Sequence, residues 1–142
     1  MRQNNLSHEF VEYIPELLKE GVLYISQQYG TAVHKCCCGC NEEVITPINP
    51  TGWTLWIEGN TITLDPSIGN WSYKCHSHYW IRRSKVIWAG QMSKQDIEQG
   101  RIIDQKNKDA YFKELNRNKN IQSHNLSRLI YKMWHMFKRW FK

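Results

Sequence analysis

The chain has 142 residues, of which 41% are hydrophobic and 13% aromatic, enough for one compact domain with appendages but too few for two. It contains no run of about eighteen apolar residues, and its start, MRQNNLSHEF, lacks the apolar segment of a secretory signal, so the sequence predicts neither a transmembrane helix nor export. The five cysteines are an odd number and four of them crowd one short segment, which argues against a secreted disulfide framework. We therefore expect reduced thiols and a cytoplasmic protein.

The net charge of +6 comes from the end of the chain. Residues 1–116 carry 12 Lys and Arg against 13 Asp and Glu, whereas residues 117–142 carry seven basic residues and no acidic one. This distribution excludes a uniformly basic surface. Because no recognition motif accompanies the basic tail, we predict no nucleic-acid partner.

The N-terminal third predicts short elements. FVEYIPELLK, residues 10–19, has helix-compatible spacing, but Pro15 limits it to a short helix or a turn. VLYIS after Gly21 and TAVHKC at residues 31–36 are rich in β-branched and aromatic residues and predict two strands. The second strand leads directly into the cysteine-rich segment.

The middle of the chain predicts one more strand and two hairpins. EEVITPI predicts a strand ended by Pro47 and Pro50. TGWTLWIE and TITLD flank Gly59-Asn60, a pair suited to a two-residue hairpin turn, and HYWIR and KVIW flank Arg83-Ser84 in the same way. In the first hairpin, one face should carry Trp53, Leu55 and Ile57, with Ile62 and Leu64 as their cross-strand partners.

The pattern changes to helical after Gly90. Residues 93–96, SKQD, have the form of a capping box and precede a polar helical stretch to about Asn116, weakened by Gly100. From Gln122 onward, apolar residues recur at three- and four-residue steps and predict an amphipathic helix. They are Leu126, Leu129, Ile130, Met133, Phe137 and Trp140.

Two clusters of metal-ligating residues stand at the ends of predicted strands. HKCCCGC at residues 34–40 holds four cysteines and a histidine, and CHSH at residues 75–78 holds the fifth cysteine and two histidines. Thiolates and neutral imidazoles are the usual ligands of structural zinc, which needs four of them. We predict Zn²⁺ bound by Cys38, Cys40 and Cys75, with Cys36 or His34 as the fourth ligand and His78 as the next candidate.

Three other readings of these clusters remain open. The cysteines can be buried thiols that bind nothing. His34-x-Cys36 with Cys75-x-x-His78 supplies the two histidines and two cysteines of a Rieske-like iron-sulfur centre, although the order of the first pair is reversed. A catalytic zinc with three protein ligands and a water would need a nearby acid as general base, and only Glu58 and the Glu42-Glu43 pair offer one.

Together these elements predict a mainly β protein of the α+β class. A small antiparallel, zinc-stabilised β-domain would span residues 1–90, and a helical extension ending in the basic amphipathic helix would span residues 91–142.

The motifs resemble those of a bacterial zinc-binding family, the domain of unknown function 6527. The resemblance rests on the order of HKCCCGC, W-x-L at residues 53–55, TLDPSIG at 63–69, CHSHYWI at 75–81 and VIW at 86–88, and it covers roughly residues 15–90. That family is encoded beside genes for ubiquitin-like modifiers and their activating and conjugating enzymes. The resemblance implies metal binding, with a ubiquitin-like protein and its activating or conjugating enzymes as partners.

Such a setting suggests a hydrolase that processes a modifier precursor or removes the modifier from conjugates. Ser67 follows a predicted strand and a proline, and His78 is left over if zinc takes Cys75. A serine nucleophile needs a base and a group that orients the base, so we assign these roles to Ser67, His78 and Asp65. Zinc would act as a staple between the segments.

A non-enzymatic adaptor is the alternative function. A zinc-stapled β-domain can bind a ubiquitin-like protein or its conjugating enzyme by edge-strand pairing and aromatic contacts. Five tryptophans within 36 residues, at positions 53 to 88, are mostly expected in the core, and exposed ones would indicate a binding surface. The basic C-terminal helix fits packing on its own domain or in an oligomer, an acidic partner, or an anionic membrane.

Overall fold

The computed structural model describes the backbone of residues 1–140 and the side chains of residues 1–134. The chain divides into two compact units, Met1–Ile97 and Glu98–Lys142. The first unit holds eight strands in two four-stranded sheets, and the second consists of helix. The predicted class, mainly β within α+β, is confirmed. The boundary predicted at residue 90 stays a prediction.

Each sheet is formed by four strands that are consecutive in the chain. The first sheet contains β1 (Ser7–Phe10), β2 (Val22–Ser26), β3 (Thr31–Lys35) and β4 (Glu43–Pro47). The second contains β5 (Thr54–Glu58), β6 (Thr61–Gly69), β7 (His78–Arg82) and β8 (Lys85–Trp88). All neighbours pair antiparallel except β1 and β2, which run parallel.

The two sheets face each other across one hydrophobic core. Alternate residues of each strand point inward, as the period of two requires. The core draws on both sheets, with Leu23, Ile25, Ala32 and Val44 from the first and Ile62, Leu64, Ile68, Tyr79, Ile81 and Val86 from the second. The two sheets thus form a β-sandwich.

The outer face of the first sheet is covered by the segment between β1 and β2. Val11, Ile14 and Leu18 pack on Val22, Tyr24 and Val33 in a second apolar cluster. This arrangement explains why every residue of β2 is buried. Residues 10–19 contain bends and no helix, so of the two predicted forms the helix is wrong. Phe10 ends β1, and Pro15 lies in an irregular covering segment whose apolar side chains seal the sheet.

The two predicted hairpins are confirmed. β5 and β6 pair around Gly59-Asn60 with Leu55 opposite Leu64 and Ile57 opposite Ile62. β7 and β8 pair around Arg83-Ser84, both of which adopt positive φ. Between Leu64 and Ile68 the pairing of β6 with β7 shifts register, so this part of β6 forms an irregular, bulged segment.

The C-terminal part of the chain forms a single helix, α1 (Lys94–Trp140). The capping box is present, since the Ser93 hydroxyl lies 2.6 Å from Asp96 Oδ2 and accepts from the Asp96 amide at 3.1 Å. The separate polar and amphipathic stretches are one continuous helix, because residues 117–121 contain neither Gly nor Pro. The side chains of Phe137 and Trp140 lie outside the described residues. Among the residues described, no helix is long and apolar enough to cross a membrane.

We predict that the two partners of one cross-strand pair differ sharply in their contribution to stability. Ile62 is fully buried, whereas Ile57 opposite it is 48% exposed. Ile62→Ala should lower the free energy of unfolding by about 3 kcal/mol because it leaves a cavity in the core. Ile57→Ala, its matched control, should cost about 1 kcal/mol or less. Urea denaturation measures both, and equal losses would contradict the sandwich core.

Candidate active site and metal centre

The first cysteine segment is a tight loop after β3. The Cys36 amide donates to Glu42 O at 2.8 Å, and the Gly39 amide donates to Cys36 O at 3.0 Å. Gly39 has φ +85°, and a Cβ there would lie 2.6 Å from the Met1 nitrogen, so only glycine fits this turn. The loop therefore folds back on itself and brings its sulfur atoms to one side.

The second segment is the loop between β6 and β7. Its two ends are joined by the Asn70 amide, which donates to Ser77 O at 2.8 Å, and its turn is closed by the His76 amide, which donates to Tyr73 O at 3.1 Å. Within this loop, Tyr73 Oη also donates to Glu43 O at 2.5 Å, which ties the loop to β4 of the other sheet. Cys75 thereby meets the first cysteine loop.

Four sulfur atoms come together where the loops meet. The Sγ atoms of Cys36, Cys38, Cys40 and Cys75 all lie within 4.8 Å of one another, with Cys36 at 3.4 Å from Cys38 and 4.0 Å from Cys75. Zinc bound tetrahedrally at about 2.3 Å from each sulfur would separate the sulfurs by about 3.8 Å. All five cysteines are free thiols, so no disulfide competes for these atoms. The donor set fits one tetrahedral metal ion.

Polar groups of the second loop support the thiolates. Asn70 Nδ2 donates to Ser77 Oγ at 2.9 Å. The Ser77 hydroxyl can therefore donate its own hydrogen to a sulfur, and Cys36 Sγ lies 3.1 Å from Ser77 Oγ. Burial by itself raises the pKa of the Cys75 thiol, but hydrogen bonds with Ser77, Cys38 and Cys40 outweigh it and lower the pKa to about 7. Burial raises the pKa of Cys38 and Cys40. A bound cation would offset the cost of ionising Cys38 and Cys40.

His34 and Cys37, which are close to the four cysteines in sequence, point away from the sulfur group. His34, counted above among the possible ligands, is fully buried between the sheets, where its Nε2 lies 2.9 Å from Tyr79 Oη, and burial lowers its pKa to about 4. It is a neutral core residue outside the sulfur group. Cys37 is also fully buried in the core, and burial raises its pKa to about 12. Alternation along the chain separates Cys37 from the cysteines on either side of it.

The Rieske-like alternative is not formed. A Rieske-like site would need His34 and His78 beside Cys36 and Cys75, but these histidines bond to Tyr79 and Ser67. For a catalytic zinc, Glu58 was one of the candidate bases, and it pairs with Arg83 at the hairpin end at 3.3 Å. Four thiolates suit a closed structural site rather than one with an open position for water.

A serine and a histidine meet on the outward face of the second sheet. Ser67 Oγ lies 3.0 Å from His78 Nε2, and His78 Nδ1 lies 3.3 Å from Gly90 O. A carbonyl can only accept, so Nδ1 carries the proton and Nε2 presents its lone pair to the Ser67 hydroxyl. This is the tautomer that a general base requires.

The irregular part of β6 places Ser67 at this position. Ile68 pairs with Tyr79 and Gly69 with His78, so Ser67 is the diagonal neighbour of His78 on the same face. Asp65 is exposed and lies before the register shift, where it pairs with Thr54 of β5. The group that faces Nδ1 is therefore the Gly90 carbonyl and not Asp65, the orienting residue expected from the sequence.

Two indole rings flank the imidazole. The ring centroids of Trp71 and Trp80 lie 5.0 and 5.5 Å from that of His78. The Trp71 indole lies over Gly69, where a Cβ would overlap its Nε1 atom. Gly69 thus leaves the space that lets Trp71 reach His78.

The sequence predicted Ser67, His78 and the cysteines as site residues. It gave no indication of the roles of Gly90, Gly69, Trp71, Asn70 and Ser77. Gly90 contributes a backbone carbonyl, Gly69 the space left by its missing side chain, and Trp71 a ring contact. Asn70 and Ser77 contribute buried hydrogen bonds. None of these contacts has a sequence motif. One signal was available for His34. It alternates with Ala32 along β3 and so shares the buried face.

We predict that metal binding depends on Cys38 and not on its neighbour Cys37. Cys38→Ser removes one of four ligands and should lower the metal content of the purified protein at least tenfold under mild chelation. Cys37→Ala is the matched control and should keep the metal, because Cys37 faces the core. Elemental analysis with an absorbance spectrum measures both. One zinc per colourless chain is expected, whereas visible bands would indicate iron and sulfur.

Comparison with known families gives one result. The profile of a family described as "Bacterial ubiquitination-like system serine protease (BubE)" matches residues 10–89, more than half of the chain. No curated protein and no solved structure matches. The match confirms the bacterial ubiquitin-like setting implied by the motifs, but under the name BubE rather than domain of unknown function 6527. It includes both cysteine loops, Ser67 and His78, and the chain belongs to the BubE family of bacterial ubiquitination-like systems.

Proposed function

We propose that the chain is a serine peptidase that trims the precursor of a ubiquitin-like modifier or removes the modifier from its conjugates. The hydrogen bond of 3.0 Å between Ser67 Oγ and His78 Nε2 is the observation that carries the proposal. The family description, which names a serine protease, supports the same reaction class. The modifier and its activating or conjugating enzymes would be the partners.

The reaction would proceed through an acyl-enzyme. His78 Nε2 takes the proton of Ser67 as Oγ attacks the carbonyl carbon at the C-terminal end of the modifier. The imidazolium returns this proton to the leaving amine as the C–N bond breaks, and a water activated by the same imidazole then hydrolyses the ester. Gly90 O, 3.3 Å from Nδ1, orients the ring and stabilises the imidazolium in both steps.

The metal centre would hold the two reacting segments in register. Zn²⁺ bound by Cys36, Cys38, Cys40 and Cys75 supplies a structural cross-link between the loops and no reacting group. Cys75 lies three residues before His78, and Asn70 lies three residues after Ser67. The loop from Asn70 to Cys75 would therefore set the separation between the Ser67 hydroxyl and the His78 imidazole.

The same geometry favours a peptidase over an adaptor. An adaptor needs an exposed contact surface but no general base, whereas here Nδ1 is protonated toward a carbonyl and Nε2 is left facing a hydroxyl. Trp56, 59% exposed on the outward face of β5, would serve either function.

We predict that Ser67→Ala abolishes cleavage of the cognate modifier precursor. Without the hydroxyl no acyl-enzyme forms, so kcat/KM should fall by about a thousandfold or more. Ser72→Ala, an exposed serine of the neighbouring loop, is the matched control and should retain activity. Mass spectrometry of the modifier detects the shortened product. Full cleavage by Ser67→Ala would remove the proposal, and absence of cleavage by the unsubstituted protein would favour the adaptor.

We predict that Gly69→Ala slows the reaction by about 10- to 100-fold. The added Cβ must push the Trp71 indole away and so releases one side of the His78 ring. The rate of Ser67 labelling by a fluorophosphonate probe measures the effect without a natural substrate. Gly100→Ala, where a Cβ meets no neighbouring atom, is the control. A labelling rate unchanged in Gly69→Ala would show that Trp71 does not position the base.

A further inference from the structure

The last described turns of α1 carry an apolar face. It consists of Leu126, Leu129, Ile130 and Met133, which recur at three- and four-residue steps and so share one side of the helix. Each is more than half exposed, between 56% and 59%. An exposed row of large aliphatic side chains on a helix marks a contact surface.

The charge of this part of the helix has one sign. At about 100° per residue, Arg128 lies on the side of α1 opposite the apolar face, and Lys132 lies at the border of that face, beside Leu129. Residues 117–142 contain seven basic residues and no acidic one, whereas the first half of the helix interleaves its lysines with acids such as Asp104 and Asp109. The amphipathic segment is therefore cationic over its whole length.

We propose that this segment of α1 binds the surface of an anionic membrane. The apolar face would enter the boundary between headgroups and acyl chains, while Arg128 and Lys132 extend to the lipid phosphates. The helix would lie in the plane of the surface. The proposal concerns α1 alone and is independent of the peptidase activity.

Charge complementarity favours lipid over a second copy of the chain. Two copies joined through the apolar face would place two segments of the same positive charge side by side, with no Asp or Glu after Glu114 to pair with them. An anionic lipid surface supplies negative charge along the entire segment, and each nearby Lys or Arg strengthens binding to it.

Flotation of the full-length protein with vesicles tests the proposal. The protein should float with vesicles of phosphatidylglycerol and phosphatidylethanolamine, should remain at the bottom with phosphatidylcholine alone, and should lose binding as salt is raised. Equal flotation with both vesicle types, or flotation with neither, would overturn it.

Double variants separate the contribution of the basic residues from that of the apolar face. Arg128→Gln with Lys132→Gln should lower the partition coefficient by about 30-fold. The control, Lys106→Gln with Lys113→Gln, removes the same charge from the acid-containing half of the helix and should change binding by about twofold at most. Leu129→Gln with Met133→Gln should abolish flotation while the circular dichroism spectrum is retained.

Two results would contradict the lipid surface as the occupant. If the control pair weakens binding as much as the Arg128 and Lys132 pair, the location of the charge is irrelevant. If the Leu129 and Met133 pair turns an oligomer into a monomer in sedimentation velocity without changing flotation, a second copy occupies the apolar face.

Discussion

The fold of the functional region depends on the junction of two cysteine loops that belong to different sheets. One follows β3 in the first sheet, and the other connects β6 to β7 in the second. The sandwich core holds the sheets face to face, and the cysteine loops pack on it, with Cys36 and Cys37 in the core and Cys38, Tyr73 and Cys75 against it. Where the loops meet, four thiols converge, supported by Asn70 and Ser77. Because neighbouring thiolates repel one another, a bound cation would stabilise this junction.

This junction explains why the chemistry lies where it does. Ser67 and His78 belong to neighbouring strands, and strand pairing alone would bring them to one face. Their hydrogen bond also requires the correct tautomer of His78 and a fixed ring orientation, which Gly90 O and the indoles of Trp71 and Trp80 provide. The His78 imidazole is therefore oriented by a backbone carbonyl and aromatic packing. The BubE match covers all of these residues except Gly90 and ends before α1.

Local sequence signals were enough for most strands and for singling out Ser67 and His78, which the fold brings together. Alternating apolar residues and two turn-forming dipeptides defined both hairpins of the second sheet, and seven of the eight strands were visible in this way. The exception, β1, has only four residues, mostly exposed, and joins by parallel pairing with β2, so no alternation identifies it. The metal ligands were ambiguous because eight Cys and His side chains competed for four positions. The alternation of His34 with Ala32 indicates its burial, but only the tertiary structure shows that Asp65 lies before the register shift.

The register shift divides β6 into two differently aligned parts. Residues up to Asp65 are aligned by the hairpin with β5, and Leu64 also pairs with Ile81 of β7, whereas Ser67 is aligned by the pairing of Ile68 with Tyr79. The Gly59-Asn60 tip lies beyond all of these pairs, and a Cβ on Gly59 would meet no atom within 4 Å. A fluorescent tag or a longer loop inserted at the tip should therefore leave Ser67 aligned with His78.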